Sequence, residues 1–212
     1  MPPEEEKPSW IRLIAKPLLE RRPSLYPIEE WDSLIDVRIG KLQVSALSGN
    51  DPDKEPYALA LKAGLYLLNE SLDNSHEISQ DITNDTGSYW HGLMHRMEGD
   101  YSNAKHWLQD VGNHPIHTVL MTEVRSYLEE QPTLNDLDHE AMKAKLDVLL
   151  TSPEWNSSVF TDVIELQVTL LQNPEIDTWL THIQYLEIKL LLAYCYRQCY
   201  GGELLELAES AN

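Results

Sequence analysis

The residues with the clearest chemical potential are histidines that share one predicted helix. Five of the eight histidines fall between residues 87 and 117. His91 and His95 are four residues apart, which places two imidazoles on one side of an α-helix, a spacing that zinc sites use. Glu98, one turn later, is a candidate third ligand or an acceptor for a ligand's other ring nitrogen. With His76 approaching from the preceding helix, the pattern offers a candidate site for zinc or another divalent metal.

Two features keep other interpretations of these histidines open. Gly92 stands where zinc metalloproteases carry a glutamate after the first histidine, so their signature is absent. Histidines at this spacing also occur in cores, hydrogen-bonded to carboxylates and backbone groups.

Polar side chains around the histidines favour a second kind of site. Arg96 can hold a carboxylate or phosphate through two parallel hydrogen bonds, although a structural bond to a nearby carboxylate is the alternative. We therefore predict a binding protein without a cofactor, whose ligand is a small polar molecule, a peptide or a protein. A metal-dependent hydrolytic enzyme that uses His91, His95 and His76 is the alternative. The predicted ligand-binding residues are His76, His91, His95, Arg96, Asp100, Asn103, Lys105 and His114.

Composition limits the partners. The chain has 35 acidic against 16 basic residues, a formal net charge of -19, so nucleic acids and anionic membranes are disfavoured. The beginning of the chain lacks a signal-peptide pattern, and no apolar run is long enough to span a bilayer. Cys195 and Cys199, four apart on a predicted helix, are poorly placed for a disulfide. We expect a cytoplasmic protein, and the sequence leaves its oligomeric state open.

The elements that must position these residues are helical. Six of the twelve prolines lie in residues 1–27, which predicts an N-terminal arm, and residues 28–212 form a single all-α domain. The last helix is apolar nearly all round between Leu186 and Tyr196, so we expect it to be buried. A short hairpin over Asp36–Leu47 is the one alternative to helix. The predicted helices are Trp10–Leu19, Pro27–Val37, one from Tyr57, one containing His76, Tyr89–Met97, Asp100–Val111, Pro115–Leu128, one from a cap at Asn135 or Asp136 to Leu150, Ser152–Leu171 and Ile176–Tyr200.

The stretch around the histidines resembles one tetratricopeptide unit. Gly92, Ala104 and Leu108 occupy the glycine, alanine and phenylalanine places of that repeat. Ser75 occupies the place of Ala104 in the preceding helix pair, at an irregular spacing. The resemblance implies stacked antiparallel helical hairpins, packed around the buried C-terminal helix.

A longer motif resembles an uncharacterised microbial protein family. The sequence from Tyr89 to Pro115, YWHGLMHRMEGDYSNAKHW…VGNHP, is similar to the family pattern YWHAxxHRREGDYSNAKYWFRRVGxHP, and SHEISQ around His76 is similar to its AHEIAQ. This chain departs from the pattern at Met97 and His106. The family has no established activity, so the resemblance implies a group of proteins and not a reaction.

Overall fold

The chain folds into α-helices. The computed structural model describes residues 8–131 and 139–211, and within them no residue is in a β-strand. The all-α prediction is confirmed, whereas the tetratricopeptide-like stacking stays a prediction. The α-helices are α1 Lys16–Leu19, α2 Ser33–Gly40, α3 Val44–Ser48, α4 Glu55–Leu68, α5 Leu72–Ser79, α6 Asp85–Glu98, α7 Tyr101–Gln109, α8 His117–Glu129, α9 Glu140–Thr151, α10 Ser157–Leu166, α11 Pro174–Cys199 and α12 Leu204–Glu209, with π-helical turns at Ile11–Ala15 and Gln167–Leu171.

Helix α11 runs through both hydrophobic cores of the molecule. It begins where the Asn173 side chain accepts hydrogen bonds from the first turn, with Pro174 in the first helical position, where its missing N–H costs nothing. The first half packs with α8, α9 and α10 in one core, and the second half packs with α4 and α6 in the other. The prediction of a long, buried helix near the C-terminus is therefore confirmed.

The described part of the N-terminal arm belongs to the core. Ile11, Ile14 and Leu18 are fully or almost fully buried, beside the second half of α11. The arm thus contributes to the fold from residue 10 onward, because its apolar side chains recur at helical spacing.

Several helix boundaries differ from the sequence prediction; for example, α6 begins at Asp85 and not at Tyr89. Helix α2 begins at Ser33 and not at Pro27, because the Asp32 carboxylate accepts hydrogen bonds from the backbone N–H groups of Leu34 and Ile35, at 2.7 and 3.0 Å. The segment Asp36–Leu47, for which a hairpin was the alternative to helix, lies mostly in α2 and α3. Helix α10 begins after Asn156, whose side chain caps it. The predicted cap at Asn135 or Asp136 lies outside the described residues.

Within residues 8–131 and 139–211, none of the helices combines the length and the apolar composition that a bilayer crossing requires.

Candidate functional site

Two helix pairs bring the histidines together. Helix α5 packs on α4, where the buried Ser75 hydroxyl donates to the Ala63 carbonyl oxygen at 3.0 Å. Helix α5 also packs on α6, and His76 therefore lies beside the helix that carries His91 and His95.

Helix α7 closes over the other side of α6 because one residue of α6 has no side chain. A Cβ atom at Gly92 would lie 2.7 Å from Cγ of Leu108, too close for any larger residue without rearrangement. The turn between the helices uses Gly99, whose φ of +89° suits glycine. This close packing places Asn103 and Trp107 of α7 against the histidines.

The three imidazoles form one compact cluster. Each of His76, His91 and His95 offers a ring nitrogen that lies within 4.8 Å of those of the other two. Nε2 of His91 and Nε2 of His95 are 3.0 Å apart. The His76 ring meets the other two edge-on, with centroids 4.9 and 5.3 Å away. We call His76, His91 and His95 the histidine cluster.

The carboxylate of Glu98 sets the proton positions on His95. Its Oε2 lies 3.0 Å from Nδ1 of His95, and a carboxylate only accepts, so Nδ1 carries the proton. In the neutral ring, Nε2 then holds a lone pair that faces the cluster. The Asn103 amide, 3.0 Å away, donates to this lone pair. The same carboxylate–histidine arrangement orients metal-binding histidines in zinc proteins.

Burial keeps His91 uncharged. Desolvation lowers its pKa to about 4, and the neighbouring His95 and His76 rings add to the effect. The Trp107 ring stacks on His91 with a centroid distance of 4.1 Å, and Nδ1 of His91 is buried without a hydrogen-bond partner. A neutral imidazole is the form that binds metal ions.

One edge of the cluster reaches the surface. His91 and His95 are 4% and 7% exposed, whereas His76, Asn103 and Trp107 are half-buried. The Glu98 carboxylate stands at the outside, with its side chain 53% exposed. The cluster therefore lies close to the protein surface.

The structure places Arg96 away from the cluster, in the core. Its guanidinium pairs with the Glu187 carboxylate at 2.7 Å, and Nε donates to Oε1 of Gln184 at 3.2 Å. The side chain is fully buried, so it presents no donor to a ligand from solvent. It lies over the Phe160 ring, where the two hydrophobic cores meet.

Glu187 is the centre of this buried network. Its Oε1 accepts hydrogen bonds of 2.7 Å from Tyr89, Trp155 and Ser157. Burial alone would raise the pKa of Glu187, but the Arg96 charge and these hydrogen bonds outweigh it and hold the pKa below its usual value. Sequence reasoning missed this residue, although a glutamate within the stretch Leu186–Tyr196, which is apolar nearly all round, needs buried partners.

The other three predicted ligand-binding residues also lie apart from the cluster and have structural partners. Asp100 caps α7 by accepting from the backbone N–H of Asn103 at 3.1 Å. Lys105 pairs with Asp162 of α10 at 2.7 Å. His114 is buried and shares a 3.2 Å hydrogen bond with Thr86, and burial lowers its pKa to about 4.

No family model matches the chain, and no curated protein and no solved structure matches it either. The resemblance to the uncharacterised microbial family stays a prediction.

Proposed function

We propose that the protein binds one divalent transition-metal ion, of the zinc class, through His76, His91 and His95. The observation that supports this most is the mutual distance of their ring nitrogens, all within 4.8 Å. Nitrogens that share a tetrahedral zinc ion lie about 3.3 Å apart, as follows from Zn–N bonds of about 2.0–2.1 Å. The Nε2 atoms of His91 and His95, 3.0 Å apart, are already close to this separation.

The donor type selects the metal. Three imidazoles suit zinc, copper, nickel or iron, whereas magnesium and calcium require oxygen ligands. Glu98 acts as the acceptor for Nδ1 of His95, in the outer role that the sequence allowed for it. The polar-ligand proposal loses its main support, because Arg96 and Lys105 are engaged in ion pairs.

Metal-assisted hydrolysis is the second candidate function. Three protein ligands with a free fourth position are typical of catalytic zinc sites, while structural sites use four. The Asn103 amide hydrogen-bonds Nε2 of His95. A metal bound to that lone pair would release the amide, which could then hydrogen-bond the group in the fourth position. A panel of chromogenic esters and phosphoesters, assayed with and without zinc, tests this function separately from binding. A cytoplasmic location stays a prediction. The two cysteines are free and buried, which is compatible with a reducing compartment.

Equilibrium dialysis of protein purified without a metal-affinity step tests the proposal. The wild type should retain one equivalent of zinc, and the His76→Ala variant should lose most of it. His76 is the best position for this test because it is half-buried, so its truncation should leave the fold intact. His106→Ala is the matched control, since His106 is exposed on α7 and lies outside the cluster.

Thermal unfolding provides a second measurement. Zinc at one hundred times its Kd should stabilise the wild type by about 2.7 kcal/mol, because the ion binds the folded chain preferentially. An equal zinc-induced shift in wild type and His76→Ala would refute the proposed ligand set, as would the absence of bound metal in both.

A further inference from the structure

A second surface, at the N-terminal end of α5, has the features of a docking site. The segment between α1 and α2 is irregular and exposes large apolar side chains. Five of the ten exposed large hydrophobic residues in the described chain fall within residues 26–37, and Ile28 is 94% exposed. Of these five residues, Ile28 is the most exposed and is the one that lines a groove.

Ile28 lies at a groove with acidic walls. The groove has a volume of about 340 Å³ and is formed by residues 27–30, Asp36 of α2 and residues 70–74 at the beginning of α5. We call it the acidic groove. No lysine or arginine of the described chain lines it, and its carboxylates are those of Glu29, Glu30, Asp36, Glu70 and Asp73.

Two of these carboxylates are held by side-chain partners, and the negative charge of the other three is not neutralised by an ion pair within the part of the chain that the structure describes. Asp36 accepts hydrogen bonds from Ser71 and Asn74, and Glu70 pairs with Arg21 at 3.0 Å. Among the described residues, no basic side chain pairs with the other three. The groove therefore combines a rigid wall, unneutralised negative charge and an exposed apolar residue.

We propose that a segment of a partner protein docks in the acidic groove, with a lysine or arginine among the carboxylates and a neighbouring apolar residue on Ile28. Charge complementarity determines the sign of the partner, because an anionic partner would be repelled by both the groove and the net charge of -19. The apolar wall favours a peptide over a simple cation, since Pro27, Ile28 and Leu72 offer contacts that only a carbon-rich group can use.

Fluorescence polarisation with a short labelled peptide of alternating leucine and lysine tests the proposal on the full chain. The Glu29→Lys/Glu30→Lys variant should weaken binding by about tenfold or more, because it reverses two charges at the groove. Glu129→Lys/Glu130→Lys is the matched control, since it reverses the charge of another adjacent, exposed glutamate pair that lies outside the groove. This control should weaken binding by less than about twofold.

The apolar contact at Ile28 is tested separately, by a variant and by a competitor. Ile28→Ser should weaken the peptide severalfold without changing the net charge. Spermine should compete poorly, because it cannot cover Ile28 as a peptide side chain does. Equal losses in the two charge-reversal variants, an unchanged affinity in Ile28→Ser, or spermine binding as tightly as the peptide would each overturn the proposal.

Discussion

Replacing Glu187 with glutamine should strongly destabilise the protein, although the residue is far from any surface. The variant keeps one oxygen for the hydrogen bonds from Tyr89, Trp155 and Ser157, but it removes the charge that faces Arg96. An unpaired guanidinium then remains in a fully buried position.

The expected loss follows from the cost of breaking a buried pair. Removing one partner of such a pair costs about 3–5 kcal/mol. In domains of this size, the midpoint of thermal unfolding falls by roughly 2–4 °C for each kcal/mol of lost stability. The midpoint of this variant should therefore fall by about 6–20 °C. Because folded domains are stable by only about 5–15 kcal/mol, this is a large fraction of the total.

A double-mutant cycle in urea, followed by tryptophan fluorescence, is the assay. Arg96→Met should also destabilise the fold, while the double variant with Glu187→Gln should cost clearly less than the sum, since neither charge is then buried alone. Glu203→Gln, at an exposed ion pair with Arg197, is the control and should leave the unfolding midpoint nearly unchanged. Additive single effects, or a loss below about 1 kcal/mol in Glu187→Gln, would refute the reasoning.

The Arg96–Glu187 ion pair also makes the stability of the fold depend on pH. The folded-state pKa of Glu187 lies below its usual value of 4.5, so its stabilisation is present above that value and is lost as the pH falls towards the folded pKa. Acid unfolding of the wild type should therefore include a contribution that Glu187→Gln lacks. Parallel acid-unfolding curves for the two proteins would contradict this assignment.

Three further predictions concern packing, thiol chemistry and capping. Gly92→Ala should cost about 1–3 kcal/mol in urea unfolding, because its Cβ would lie 2.7 Å from Leu108; an unchanged midpoint would contradict the close packing. Burial raises the thiol pKa of Cys195, and that of Cys199 to about 11, so both should react with a thiol reagent only after unfolding; fast labelling of the native protein would contradict their burial. Asp100→Ala should cost about 0.5–2 kcal/mol and leave zinc affinity unchanged, as expected for a helix cap; a large loss of zinc affinity would instead assign it to the metal site.

The histidine cluster could be predicted because its geometry is mostly local. His91 and His95 share a helix face by their spacing, and His76 lies on the preceding helix, so only one packing contact had to be inferred. The all-α class followed in the same way from helical periodicity and the scarcity of strand patterns.

The fate of Arg96 could not be predicted, because its partner is distant in sequence. Glu187 lies 91 residues away on α11, and a helix face alone does not say which neighbour will cover it. The beginning of α2 was misjudged for a different reason. Pro27 is a common first helical residue, but Asp32 offers a carboxylate that caps the backbone directly, and the cap determined the boundary.

X-ray absorption spectroscopy of the zinc-loaded protein tests the central claim most directly. The account predicts a nitrogen shell at about 2.0–2.1 Å with the outer scattering of three imidazole rings. A shell of oxygen atoms alone, or one with the longer distance of a thiolate sulfur, would contradict it.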